Sequence, residues 1–206
     1  MSDTAKRIFD LVVAGCGLLL VLPVMAIIAV MIMTTSKGPV IFRQIRVGRH
    51  ERPFRIMKFR TMAADAPSLG PQITLSADPR ITPVGALLRR YKLDELPQLI
   101  NVVLGDMSLV GPRPETPDYV ALYPPEERHE IFQVRPGITD NASIIFSNES
   151  ELLGHAENPL DYYVSVILPK KRSLYLDYVR NRSFFGDIVI IWRTILVVFN
   201  WREPQS

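Results

Sequence analysis

The sequence predicts an α+β fold, mostly helical, with a small β-hairpin or sheet, a kinked re-entrant membrane helix at the N-terminus and interfacial amphipathic helices. Three observations carry that expectation. No charged residue occurs from Leu11 to Met33, yet Pro23 divides the run. Two short segments, 39–48 and 53–62, interleave basic and apolar residues around the polar turn "RHER". From residue 82 onward apolar residues recur at helical spacing, and the last 40 or so mix aromatic, aliphatic and basic types.

Size and composition set the outer bounds. The chain has 206 residues, enough for one domain with its own core. Lys plus Arg is 24 and Asp plus Glu is 21, a net charge of +3. So mild an excess suits an anionic lipid or phosphate surface and gives little support to nucleic-acid binding. No recognition motif or aromatic–basic stacking platform is present, so no nucleic-acid partner is expected. Hydrophobic residues make up 48%, high for a soluble domain. The single Cys16 cannot make an internal disulfide, which points to a reducing compartment. In its apolar run it reads as a small hydrophobe.

The first element is the apolar run 11–33, about the length of a membrane span. It is too long for a signal-peptide core and no small-x-small site follows it. Pro23 removes a backbone donor and disfavours helical geometry at Leu22, so a kink is expected there. Lys6 and Arg7 precede the run, and Lys37, Arg43, Arg46 and Arg49 follow it. Positive charge marks the cytoplasmic side, and both flanks carry it. A helix bent at Pro23 with both ends on one side satisfies both features. Each half would be roughly 18 to 22 Å long, too short for a core of about 30 Å. The expected division is therefore a re-entrant helix over 1–37 and a cytoplasmic domain over 38–206 that includes membrane-interface C-terminal helices.

The second and third elements are the two strands. Arg43, Arg46, Arg55, Lys58 and Arg60 alternate with Ile, Phe and Met, which fits a half-buried strand pair or the wall of an anion pocket. Residues 63–80 read as a loop, and "TPVGALLRRYKL" as a helix. Then "YKLDELPQL" sets Asp94 beside Glu95 among leucines. Asp94 is a good N-cap, Pro97 is tolerated in a first turn, and "ELPQLINVVLG" runs as a helix stopped by Gly105. On that reading the helix dipole favours the ionised carboxylates. Two proline-fixed arginines follow: Arg113 in "GPRPE" and Arg135 in "VRPG". An arginine held this way loses little entropy when its planar fork grips a phosphate. Asp78, Asp106 and Asp161 read as structural, and His50, His129 and His155 as surface residues without metal spacing.

The combination "GPVIFRQIRVG", "FRIMKFRTM", "DPRITPVGALLRRYKLDELPQLINVVLGDMSLVGPRPE" and "VRPGIT" closely resembles the bacterial sugar transferases, the monotopic phosphoglycosyl transferases. The resemblance runs from Lys6 to about Phe199 and looks like the minimal form with one N-terminal membrane segment. After Gly137 this chain continues "TDNASIIFSNESELL", similar to the small N-glycosylation-pathway type, a difference that bears on the sugar. The resemblance implies transfer of a sugar 1-phosphate from a UDP-sugar to undecaprenyl phosphate, with UMP released and Mg²⁺ required, at the cytoplasmic face of the bacterial inner membrane. It implies that Asp94 attacks the β-phosphorus to give a covalent phosphosugar intermediate, with Glu95 as its neighbour. Other implied partners are inner-membrane lipid and glycosyltransferases of the same pathway.

The residue chemistry agrees with that expectation. A carboxylate need not lose a proton before attacking phosphorus. Adjacent helical residues point about 100° apart, so the two acids should not share one proton. Asp94 and Glu95 are the candidate Mg²⁺ ligands, because Mg²⁺ takes one or two carboxylates plus phosphate oxygens. Lys58, Arg60, Arg89, Arg113 and Arg135 are the candidates for neutralising the diphosphate. At the C-terminus, "DIVIIWRTILVVF" is too short to span, and Phe184, Phe185, Trp192, Arg193 and Trp201 suit an interfacial helix. Two alternatives remain open: direct transfer in a ternary complex with Asp94 as a metal ligand only, and a non-enzymatic membrane-anchored scaffold.

Overall fold

The computed structural model describes residues 2–63 and 78–200. Most of the loop read at 63–80, and Trp201, lie outside the described residues. The architecture is α+β and mostly helical, with two small two-stranded sheets.

Helix α1 (Asp3–Thr35) begins at Ser2, whose hydroxyl accepts from the Ala5 N–H, and runs on through Pro23 without a break. At 1.5 Å per residue it is about 50 Å long. Lys6, Asp10, Ala14, Met25, Ile28 and Ile32 form one buried stripe along it. The opposite face, including Leu19, Leu20, Leu22, Ile27 and Val30, is exposed and apolar. Leu22 and Pro23 lie on that exposed face, away from the body.

Both ends of α1 are tied to the same body. Lys6 donates to Asp187 at 2.6 Å, and Arg7 donates to the carbonyls of Val102 and Val103 at 2.6 and 3.0 Å. At the far end Arg60 donates to the Ser36 carbonyl at 2.8 Å and its hydroxyl at 2.9 Å. The basic residues read as simple topological flanks thus include specific fasteners.

Strands β1 (Ile41–Val47) and β2 (Pro53–Phe59) form the expected antiparallel hairpin, with Phe42 opposite Lys58 and Gln44 opposite Ile56. Helix α2 (Pro83–Arg90) is capped by Thr82, whose hydroxyl accepts from the Gly85 N–H at 2.9 Å. A Cβ at Gly85 would collide with the Thr61 carbonyl, so α2 sits directly on the end of the hairpin. A 3₁₀ turn at Leu93–Glu95 leads into α3 (Gln98–Leu104), which Gly105 ends at φ 98°.

A parallel pair that local pattern does not announce joins β3 (Ser108–Val110) to β4 (Gly137–Thr139). Its two chains cross where a Cβ on Gly137 would strike the Gly111 backbone. Short helices α4 (Pro117–Val120) and α5 (Pro125–Ile131) lie between these strands in the chain, and α6 (Asn141–Ile145), α7 (Glu149–Gly154) and α8 (Pro159–Tyr162) follow them. A π turn at Tyr163–Ile167 joins α8 to α9 (Leu168–Asn181). Finally α10 (Phe184–Asn200) buries Asp187 and Ile190 and exposes Phe185, Val189, Trp192 and Phe199. The exposed apolar residues of α10 lie on one side of it.

Candidate active site

A cleft of about 1510 Å³ opens between the hairpin, α2, the 3₁₀ turn and the helices that follow β4. Phe42, Gln44, Arg46 and Lys58 share one face of the hairpin by register, and that face walls the cleft. The hairpin is held in place by a residue that sequence reasoning missed. Asn101 of α3, with no exposed surface, accepts from the Met57 N–H and donates to the Arg55 carbonyl, both at 2.9 Å. A lone Asn inside the apolar run "LINVV" is the only trace of this in the sequence.

The paired carboxylates sit on the 3₁₀ turn. Lys92 precedes them in the left-handed region at φ 55°, a conformation that a lysine adopts at some cost and that here aims the turn. Asp94 is therefore not the N-cap of α3, because the helix starts after Pro97 and that position gives no side-chain cap. The expected dipole stabilisation of Asp94 falls with it.

The two neighbours live in opposite surroundings. Glu95 is gripped from two sides. Lys58 donates to its Oε1 at 2.7 Å, and the Arg113 fork spans both oxygens, with Nη1 at 3.3 Å from Oε2. Burial alone would raise the Glu95 pKa, but Arg113 and Lys58 together hold it well below the usual carboxylate range. Glu95 in turn raises the Arg113 pKa. Asp94 is 8% exposed and makes no hydrogen bond or ion pair among the described residues. Burial raises its pKa, and the Glu95 charge adds to this, against the pull of Lys58, Arg89 and Lys92. One acid is fixed, ionised and paired. The other is unpaired at the cleft wall.

The other predicted residues divide. Lys58 is beside the carboxylates, and burial lowers its pKa against the pull of Glu95. Arg89 lines the cleft, donates to the Thr61 hydroxyl at 2.8 Å and feels the charge of Asp94. Arg60 also lines the cleft, but one nitrogen is spent on Ser36, and its Nε and Nη1 are buried without a partner. Arg113 is present, though its fork faces Glu95. Arg135 is not in the cleft. Its Nε donates to the Gly105 carbonyl at 2.9 Å, and it lines a small separate cavity with Arg7 and Arg49. The fixed backbone of "VRPG" set its position without setting its direction.

The donor set can be tested against Mg²⁺. All the close partners of Glu95 are cations on both of its oxygens, which leaves little to offer a metal. Asp94 is unencumbered. One carboxylate with phosphate oxygens suits Mg²⁺, so Asp94 fits as a ligand and Glu95 as arranged does not. No group of three or more His, Cys, Asp or Glu side chains gathers among the described residues. His50, His129 and His155 are all exposed. Asp78 is paired with Arg80, Asp106 accepts from Asn101, and the Asp161 N–H donates to Asn158.

Comparison with known proteins fits this geometry. The family model for bacterial sugar transferases matches residues 1–201. The UDP-N-acetylgalactosamine-undecaprenyl-phosphate N-acetylgalactosaminephosphotransferase of Aeromonas hydrophila is 36% identical over 94% of this chain, which covers 43% of that protein. UDP-glucose:undecaprenyl-phosphate glucose-1-phosphate transferases of Escherichia coli and Caulobacter vibrioides are 37% and 38% identical, each over 94% of this chain, which covers 40% and 69% of them. The chain thus spans less than half the length of two of these three relatives. A match along almost the whole sequence, with the carboxylate pair and its cations inside it, places the chain in the bacterial sugar transferase family.

Proposed function

We propose that this chain transfers a sugar 1-phosphate from a UDP-sugar to undecaprenyl phosphate and releases UMP. The observation that carries this reading is the contrast between Glu95, locked by Lys58 and Arg113, and Asp94, unpaired beside Lys58 and Arg89 in the cleft. Neighbouring acids whose surroundings push them apart have separate roles. Asp94 Oδ forms a bond to the β-phosphorus, and the bond from that phosphorus to the oxygen bridging to the α-phosphate breaks. UMP departs with the electron pair. A phosphate oxygen of the lipid then attacks the same phosphorus, the aspartyl ester breaks, and the Asp94 carboxylate is restored. Glu95 keeps Lys58 and Arg113 beside the reacting phosphate. Arg89 and the unpaired N–H groups of Arg60 supply further positive charge. Mg²⁺, held by Asp94 and phosphate oxygens, would neutralise charge on the diphosphate.

The decisive experiment is mass spectrometry of the protein incubated with Mg²⁺ and UDP-sugar in the absence of lipid. A sugar-phosphate adduct on Asp94, absent from Asp94→Asn, is the expected result, together with a loss of several orders of magnitude in turnover. An active enzyme that forms no adduct, and releases UMP only when lipid phosphate is present, would favour the ternary route. A parent protein that forms no adduct and releases no UMP from any UDP-sugar, with or without lipid phosphate, would leave only the scaffold.

The membrane reading follows from α1. It is long and apolar enough to cross a bilayer, yet Lys6 and Ser36, at its two ends, both bond to the same body. That supports both basic flanks facing the cytoplasm, with the exposed faces of α1 and α10 in the lipid. In a Cys16-free background, Ser2→Cys should resist membrane-impermeant thiol reagents in intact cells. Ready labelling from outside would make α1 a true span.

A further inference from the structure

The cleft has two chemically different lobes on either side of the carboxylate pair. Toward α2 the charged side chains are cations, among them Arg60, Arg89 and Lys92. Beyond Arg113 the wall changes to hydroxyls and balanced charges. Glu115 Oε1 accepts from the Tyr163 hydroxyl at 3.2 Å, and Arg46 and Lys171 stand 3.8 and 3.7 Å from its carboxylate. The π turn that begins at Tyr163 sets this ring against Tyr119, 4.9 Å between centroids, which gives the lobe an apolar face.

Four polar atoms in this lobe are buried and have no hydrogen-bond partner: Thr116 Oγ1, Ser143 Oγ, Tyr175 Oη and Arg46 Nε. Thr116 and Tyr175 are 3% and 1% exposed, and all four residues line the cleft. A buried polar group without a partner is destabilising, so a site that keeps four together is built to be completed by a ligand. The ligand must offer both donors and acceptors, because three groups are hydroxyls and the fourth can only donate. It need not be charged, because Glu115 and Glu149 are already matched by Arg46 and Lys171. A phosphate would meet the Glu115 carboxylate here and finds better company in the cationic lobe. Position agrees with chemistry: Arg113, which holds Glu95, is two residues from Glu115, and both line the same cleft as Tyr175. The lobe is therefore reached directly from the reacting carboxylates.

We propose that this lobe is the sugar subsite, in which Thr116, Ser143, Tyr175 and Arg46 hydrogen-bond the uncharged hexose of the UDP-sugar while the nucleotide diphosphate lies toward Arg60 and Arg89. The proposal rests on the reading of the cleft as a UDP-sugar transferase site, and it adds the direction in which the donor lies.

The test is the KM of the best donor from a UDP-sugar panel, set against the inhibition constant of UDP, which lacks the sugar. Both are measured for the parent, Thr116→Val, Tyr175→Phe and the double variant. The expected result is a rise in KM of about tenfold or more for the double variant, with the UDP constant within about twofold of the parent. Ser143→Ala, at a half-buried position, carries the same split at smaller size and remains informative if the buried substitutions do not fold. A parallel weakening of UDP would mean that the lobe holds the nucleoside and would overturn the proposal. So would an unchanged KM in a double variant that still releases UMP. If the parent releases no UMP from any UDP-sugar, the transferase reading itself fails, and the subsite with it.

Discussion

Two segments of this chain use the same sequence device and put it to different uses. "GPRPE" and "VRPGIT" each set an arginine beside proline, and their backbones cross at Gly111 and Gly137, where neither chain has room for a Cβ. The Gly111 N–H donates to the Thr139 carbonyl, and the Gly137 N–H to the Pro112 carbonyl. From this crossing Arg113 reaches Glu95 in the cleft, while Arg135 turns to the Gly105 carbonyl beside Arg7 and Arg49. Proline restricts φ and therefore limits where the Cα can be. What a long side chain then touches depends on which element lies next to it, and that is a property of the fold.

The sharpest way to break the comparison is Arg113→Lys. Lysine keeps the charge but loses the planar fork across both oxygens of Glu95. A fall in kcat/KM of about 100-fold is expected, equivalent to about 2.7 kcal/mol of transition-state stabilisation. A value within about twofold of the parent would show that the fork on Glu95 is not needed.

An intermediate effect couples the two segments through Asp140, which directly follows the second one. Its Oδ1 accepts from the Ser143 N–H at 2.6 Å, and burial pushes its pKa up to about 6, against the pull of Arg113 from the first segment. The folded value lies above the usual value of 3.8 for a free Asp, so the folded protein holds this proton more tightly than the unfolded chain. The contribution of Asp140 to stability is thus complete below about pH 3.8 and is lost as pH rises through about 6. Asp140→Asn keeps a capping side chain without the titration. Measured by chemical denaturation from pH 4 to 7, the variant should gain on the parent by on the order of 2–3 kcal/mol. A constant difference across that range would mean that Asp140 does not titrate there.

The smallest effect is expected from Arg135→Gln. It removes one hydrogen bond to Gly105 and a cation from a site remote from Asp94, so turnover should stay within about threefold and stability should fall by about 1 kcal/mol. A loss of activity comparable to that of Arg113→Lys would place Arg135 in the reaction after all.

The sequence was legible where local pattern and burial coincide. The β1–β2 hairpin follows its alternation, α10 its one-sided apolar face, and the Asp94–Glu95 pair stood out because acids are rare in apolar sequence. It was illegible where the deciding contact is distant. The β3–β4 pair joins strands of three residues each from separate parts of the chain, too short to show a period. Asp94 read as an N-cap because "DELPQL" permits it, but the left-handed Lys92 turns the chain before α3 begins. Arg60 read as a phosphate ligand, and one of its three guanidinium nitrogens fastens the end of α1. Thr116 and Tyr175 gave no local sign at all, because an unpaired hydroxyl is visible only once its neighbours are in place.

The buried stripe of α1 has a practical consequence for handling this protein. Ala14 packs in one cluster with Val102 and Met107, while Met25, Ile28 and Ile32 pack in another with Phe59 and Leu88. The apolar helix is thus a wall of the body that holds the carboxylate turn. Cutting it away would not free a water-soluble enzyme, as it does for proteins anchored by a simple stalk. It would strip the covering from β2 and α3, the two elements that hold Lys58 and the carboxylate turn in register. A soluble version would have to keep α1 and repaint only its outer face, from Leu19 to Val30, in polar residues.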